Sequence, residues 1–221
     1  MKMLYIFDLD GTLVNSVYDL ADSMNWVLER HGFPVHDVEK YKYFVGNGTL
    51  KLVERAIPES EKNDEKIKLY HAEFSEEYNK RCIDKTRPYV GITEVLRQLK
   101  NQGAILAVAS NKPDKFAKYI VSSIFEEGTF DEIAGKKDGV PTKPNPEIVL
   151  EIMKKFNAYR DNTVMIGDSN VDVQTAHNAG IKCIGCSWGF RGRQELSEAG
   201  ADFIADEPSE ILNKYILECV E

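Results

Sequence analysis

Residues 3–16 read MLYIFDLDGTLVNS. Met3, Leu4, Tyr5, Ile6 and Phe7 form an unbroken apolar run, the length and composition of a strand buried on both faces, and the run stops at Asp8. Asp10 follows two positions later. Two carboxylates this close repel each other and lose hydration if even partly buried, so they do not serve stability where they stand. The stretch therefore predicts a buried strand that delivers acids to its own carboxyl end.

Working outward, further short apolar runs with strand character cover 104–109, 163–166 and 182–186, with weaker ones at 201–205 and 130–134. Segments with helical spacing separate them, such as Val95, Leu96 and Leu99, then Ile148, Val149, Ile152 and Phe156. Strands alternating with helices predict an α/β fold: a Rossmann-like parallel sheet covered by helices on both faces. Residues 16–83 break the alternation with helical spacing throughout, including Leu20, Met24, Val27 and Leu28, then Ile67, Tyr70, Phe74 and Tyr78. This predicts an all-α helical cap at 16–83 inserted into a core made of 1–15 and 84–221, with Val14 to Ser16 and Asp84 to Tyr89 as the hinges.

The 221 residues are enough to bury roughly 70% of the unfolded surface without a disulfide or structural metal. A net charge of −8 without a clustered Lys/Arg face argues against a nucleic-acid partner, so any anionic ligand needs a local device. Five apolar residues before Asp8 are too few for a signal peptide or membrane span, and four cysteines are not a disulfide framework. The expectation is a cytoplasmic protein, monomeric or weakly dimeric, with neither membrane nor nucleic-acid partners.

Three of the runs end in polar groups: Asp8, then Ser110 and Asn111, then Gly167, Asp168 and Ser169. Ligands of open parallel sheets bind outside the carboxyl ends of the strands, so these groups should share one edge. Asp8, Asp10 and Asp168 together suit a hard divalent cation; as isolated acids they would serve equally as turn caps. A calcium loop is excluded, because the sixth loop positions hold Leu13 and Val173 instead of Gly, and the twelfth hold Asp19 and Ala179 instead of Glu. Lys143, stiffened by prolines in PTKPNPE before a helix starting near Pro146, can offset phosphate charge or remain a solvated lysine. Ser110 and Asn111 can bind phosphate or start a helix, since Asn-Lys-Pro is good turn and N-cap chemistry.

Taken together, DLDGT (8–12), ASN (109–111), KPNP (143–146) and GDSNVD (167–172) resemble, in order, the four signatures of the haloacid dehalogenase superfamily of phosphatases, in its phosphoglycolate phosphatase-like branch. The resemblance covers essentially the whole chain, helical insert included. It implies a Mg2+-dependent phosphatase acting on a small phosphomonoester, 2-phosphoglycolate first among candidates. Asp8 would be the nucleophile that forms an aspartyl-phosphate, Asp10 the general acid and then base, and Lys143 a catalytic charge. The metal would be held by the Asp8 and Asp168 carboxylates and the Asp10 backbone carbonyl, with Asp172 and Ser169 behind them. Thr12, Ser110, Asn111 and Lys143, with Gly46, Asn47 and Gly48 of the Gly-x-Gly turn in FVGNGT, would contact phosphate or substrate.

Other outcomes share the fold. A beta-phosphoglucomutase-like phosphotransferase or an inorganic pyrophosphatase would use the same catalytic set. A dehalogenase proper lacks the second aspartate. A phospho-aspartate receiver domain is about half this length and lacks an Asp10. Cys183 and Cys186 lie in a strand-like run and read as core, and the four histidines show no metal-ligand spacing. Arg191 and Arg193, in WGFRGRQE, either reach an anionic substrate or belong to a surface loop.

Overall fold

The structure, a computed structural model, describes residues 2–213. In chain order the elements are β1 (Leu4–Phe7), β2 (Val14–Asn15), α1 (Val17–Arg30), α2 (Val38–Phe44), α3 (Thr49–Ala56) and α4 (Asp64–Arg81). Then come β3 (Arg87–Pro88), α5 (Ile92–Asn101), β4 (Ile105–Pro113), α6 (Asp114–Ile124), β5 (Glu132–Lys136) and α7 (Glu147–Lys155). The series closes with β6 (Thr163–Gly167), α8 (Asn170–Ala179), β7 (Lys182–Cys186), α9 (Gly192–Ala199) and β8 (Phe203–Ala205).

Six strands form one parallel sheet in the order β5-β4-β1-β6-β7-β8. β1 lies at its centre, with Leu4 opposite both Ile105 and Thr163 and Phe7 opposite both Val108 and Ile166. All four of its residues are buried, as a strand covered on both faces must be. Alternation sends Tyr5 and Phe7 into one apolar cluster, with Val95 and Leu96 of α5 and Phe116 and Ile120 of α6. Leu4 and Ile6 enter the other, with Val149 of α7, Val173 and Ala176 of α8 and Leu196 of α9. The expected α/β fold with two covered faces is what forms.

The apolar stripes of α1 to α4 bury Leu20, Met24, Tyr41, Leu52, Val53, Phe74 and Tyr78, and these belong to the same cluster as Tyr5 and Phe7. Both chain crossings expected as plain hinges carry order of their own. β2 and β3 pair antiparallel, Val14 with Pro88 and Asn15 with Arg87. Beside them the buried Asp19 carboxylate of α1 accepts from Lys85 N at 2.9 Å, Thr86 N at 2.8 Å and Thr86 Oγ1 at 2.7 Å. Two-residue strands have no periodicity to read, which is why this ribbon was not expected.

Ser110 and Asn111 do not start a helix. β4 runs on through both, with a register shift between Ala109 and Pro113, and α6 begins at Asp114 with Pro113 at its N-cap position. Among the described residues no helix is long and apolar enough to cross a membrane. Cys82, Cys183 and Cys186 are buried and unpaired, the latter two inside β7. The end of the expected 84–221 segment, Cys219 included, lies outside the described residues.

Candidate functional site

The parallel sheet carries the polar strand ends to one edge. Past Phe7, Asp8 N–H still donates to Ile166 O at 2.8 Å, which keeps Asp8 in register as an extension of β1. The chain then folds back within a few residues: Leu13 N and Val14 N donate to Leu9 O, and Gly11, at φ 88°, donates to Val14 O. Asp168 follows β6 directly and Asp172 sits in the first turn of α8. One carboxylate oxygen from each of Asp8, Asp168 and Asp172 lies within 4.8 Å of the others.

Each of these acids is held from behind. Ser169 caps α8 in reciprocal fashion, its Oγ and N–H donating to Asp172 Oδ2 at 2.7 and 3.2 Å. Lys143 Nζ donates to Asp172 Oδ1 at 2.7 Å and lies 3.0 Å from Asp8 Oδ1. Asp168 Oδ2 accepts from Phe190 N at 2.7 Å. A Cβ on Gly11 would fall 2.2 Å from Asp168 Oδ2, and one on Gly189 would fall 2.2 Å from Asp168 Cβ. The Asp168 carboxyl is thus wedged between two backbone segments that only glycine can bring so close.

The electrostatics of this cluster are unfavourable as it stands. Three buried carboxylates face a single buried ammonium. Burial pushes the Asp8 carboxyl up to about 6; Lys143 opposes the rise, while Asp172 and Asp10 add to it. Burial likewise raises Asp168 well above the usual carboxylate range, helped by Asp172 and Asp8 and opposed by the Phe190 N–H. Burial alone would lower the Lys143 pKa, but Asp172 and Asp8 outweigh it and the pKa is raised. Asp8 Oδ1 is buried with the Lys143 ammonium, 3.0 Å away, as its ion-pair partner. More carboxylates than ammonium groups, an all-oxygen donor set and acids that resist ionisation without further positive charge fit a hard divalent cation such as Mg2+.

Asp10 has different surroundings. Its carboxylate accepts from Ser16 Oγ and from Lys112 Nζ, the latter at 3.0 Å to Oδ1 and 2.9 Å to Oδ2. Asp8, Asp10, Ser110, Asn111 and Lys112 line the floor of a cavity, and Val45, Gly46, Gly48 and Thr49 come over it from the turn between α2 and α3. Asn111 ties floor to roof: its Nδ2 donates to Gly46 O and to Lys143 O, both at 3.0 Å, and its Oδ1 accepts from Lys143 N at 2.8 Å. Arg191 adds a second tie, with Nη2 donating to Val45 O at 3.0 Å.

Of the residues expected at the site, Asp8, Asp10, Ser110, Asn111, Lys143, Asp168, Ser169 and Asp172 come together, and Gly46 and Gly48 reach the cavity. Lys143 is buried and ion-paired, which removes the solvated reading. Asp172 is a full member of the carboxylate cluster as well as the partner of Lys143. Two residues stand apart. Thr12 is fully buried outside the cavity, its hydroxyl unpartnered and its carbonyl accepting from Trp188 Nε1 at 3.2 Å. Asn47 turns its side chain to Arg55, accepting at 2.7 Å, instead of lining the cavity with its flanking glycines. Arg193 pairs with exposed Asp206 on the surface.

Lys112 and the 188–190 segment were not expected here. The only signal for Lys112 is its place one residue past Asn111; its partner Asp10 is 102 positions away. Gly189 and Phe190 act through backbone, for which side-chain chemistry gives no signal.

Comparison with known proteins agrees with this geometry. A Psychrobacter arcticus protein named phosphoglycolate phosphatase is 35% identical over 98% of this chain and 96% of its own length. A Mannheimia succiniciproducens protein of the same name is 31% identical, covering 93% of this chain and 95% of its own. The crystal structure of a predicted phosphoglycolate phosphatase from Haemophilus somnus matches with TM-score 0.87 at 32% identity, over 96% of both chains. The model of the haloacid dehalogenase-like hydrolase family matches residues 5–186, from the central strand through β7 and thus across every acid of the cluster. Fold, cluster and sequence match converge, and this chain belongs to the haloacid dehalogenase-like hydrolase family.

Proposed function

We propose that this chain is a Mg2+-dependent phosphatase that hydrolyses a small phosphate monoester through an aspartyl-phosphate on Asp8, with 2-phosphoglycolate the leading substrate. The observation that carries the reading is the buried group of Asp8, Asp168 and Asp172 around Lys143, whose uncompensated charge suits a site for both a divalent cation and a phosphoryl group. Asp8, Asp168 and the Asp10 backbone carbonyl would hold Mg2+, with Asp172 beside them. When bound, it supplies Lewis-acid charge that offsets the phosphoryl oxygens and keeps Asp8 ionised.

The chain's own groups divide the remaining work. Asp8, at the rigid end of β1, attacks phosphorus; the ester P–O bond breaks and the electron pair leaves with the alkoxide, which takes a proton from Asp10. Asp10 then removes a proton from water, the water oxygen attacks phosphorus, and phosphate departs from Asp8. Lys143 and Ser110 balance and orient the phosphoryl oxygens. The helices at 16–83 act as a cap, and the Val45 to Thr49 turn excludes bulk water.

The roof supports a small substrate. Gly46 and Gly48 bring main chain close to Ser110 and Asn111, with Leu20 and Leu52 filling the sides, which leaves little space for a large leaving group. Buried, unpaired Cys82, Cys183 and Cys186 fit a reducing compartment such as the cytoplasm. The test is a phosphate-release screen over a metabolite panel with Mg2+. Small phosphomonoesters should be hydrolysed, Asp8→Asn should abolish turnover and Asp10→Asn should slow it. Substantial turnover by Asp8→Asn, or interconversion of sugar phosphates without net phosphate release, would overturn the reading.

A further inference from the structure

Asp10 is held by an ammonium from another strand. Lys112 lies in β4 two residues after Ser110, and its side chain is 1% exposed. Its Nζ reaches both oxygens of Asp10, at 3.0 and 2.9 Å. Above it stands the ring of Tyr78 from α4, with the ammonium 4.8 Å from the ring centre. Tyr78 is itself fixed, stacked on Phe74 at 5.5 Å and edge-on to Phe116 at 5.2 Å. Lys112 is thus boxed by a carboxylate on one side and an aromatic face on the other, while Lys143, not Lys112, serves the metal-ligating acids.

We propose that Lys112 is a positioning residue for Asp10: its ammonium sets the orientation of that carboxylate in the cavity, and Tyr78 sets the ammonium. An aspartate has few rotamers, and one oxygen must reach the leaving group in one half of the reaction and the water in the other. With Lys112 present, both Asp10 oxygens have a fixed donor. Without it, Ser16 Oγ on Oδ1 is the remaining side-chain tie, and the carboxylate can rotate about that bond. A displacement of about 1 Å at a catalytic group costs on the order of 10²-fold in rate.

This inference rests on the phosphatase reading, and the experiment separates the two. Lys112→Met keeps the apolar stem without the charge, and Lys112→Gln keeps a donor near the same reach; circular dichroism establishes folding. Each is assayed with Mg2+ on 2-phosphoglycolate, whose alkoxide needs a proton to leave, and on p-nitrophenyl phosphate, whose anion leaves without one. Asp10→Asn is the reference. Lys112→Met should lose about 10²-fold of turnover on the alkyl ester, while its pre-steady-state burst of nitrophenolate keeps its rate within about threefold, as in Asp10→Asn. Lys112→Gln should recover part of the alkyl activity; if Lys112→Met does not fold, the same split is read in Lys112→Gln. Equal loss in burst rate and alkyl turnover in a folded variant, or no loss on the alkyl ester, overturns the role of Lys112 alone. Wild-type protein that hydrolyses neither ester overturns both readings.

Discussion

Replacing Asp8 by Asn should make the metal-free protein more stable while removing its turnover. In the fold the Asp8 carboxyl is pushed from 3.8 up to about 6, chiefly by burial, with Lys143 opposing and Asp172 and Asp10 adding repulsion. At about 1.4 kcal/mol for each pH unit, the ionised group costs the folded state about 3 kcal/mol relative to the unfolded chain. Because the folded carboxyl holds its proton more tightly than the unfolded one, this cost is absent below pH 4, grows between pH 4 and 6, and is complete above 6. A neutral amide of the same shape avoids it. For a chain of this size about 3 kcal/mol corresponds to a rise in melting temperature of roughly 6–12 °C. The assay is thermal and urea denaturation of wild type and Asp8→Asn in EDTA at pH 4.5 and 7.5. The variant should be the more stable at pH 7.5, and the gap should shrink towards pH 4.5. Mg2+ at a hundred times its dissociation constant adds about 2.7 kcal/mol to the wild type and should erase most of the gap. Equal or lower stability of Asp8→Asn in EDTA at pH 7.5, or a gap of the same size at both pH values, would refute the reasoning.

Other perturbations test other parts of the site. Gly11→Ala places a Cβ 2.2 Å from Asp168 Oδ2 in a backbone at φ 88°, so Mg2+ affinity by calorimetry and turnover should both fall, turnover by about 10²-fold or more. Asp19→Ala strips the acceptor from two backbone N–H groups and the Thr86 hydroxyl at the second crossing. Urea denaturation should show a loss of about 2–4 kcal/mol, since buried donors left unpaired cost roughly 1–3 kcal/mol each, partly regained by water. Arg191→Ala frees Val45 O of the roof and Tyr43 O beside it while removing no hydrogen bond of the carboxylate cluster, on which Arg191 exerts only a minor Coulombic effect at Asp168, so steady-state kinetics should show KM rising about tenfold and kcat changing less than threefold. A fall in kcat at unchanged KM would show that Arg191 serves the chemistry instead.

The parts of this fold legible in the sequence are those written in contiguous residues. The apolar run before Asp8 and the runs at 163–166 and 182–186 announced their strands because a strand buried on both faces reads as a near-continuous apolar run. Charge at the end of a core strand drew attention to Asp8 and Asp168, yet alone they read equally as turn caps and Lys143 read equally as a solvated lysine; it was the four signatures in order that singled them out. Lys112 was not legible, since Asn-Lys-Pro offers a complete local account as a turn, while its partner is made nonlocal by β4 lying beside β1. Thr12 and Asn47 were misplaced for a related reason. Their neighbours reach the cavity, but side-chain direction in a tight turn depends on individual backbone angles that residue type does not specify.

The central position of β1 also has a consequence for the order of assembly. β1 pairs with β4 on one side and β6 on the other, so Phe7 meets Val108 and Ile166, both more than a hundred residues downstream. At about 5–20 residues per second, β1 waits at least about 5 s for the first partner and longer for the second. The helices α1 to α4 are complete before either partner exists. During synthesis α1 to α4 therefore emerge while the apolar β1 has neither of its neighbours. Asp8, the proposed nucleophile at the end of that strand, is made well over a hundred residues before Lys143 and Asp168, which complete its surroundings.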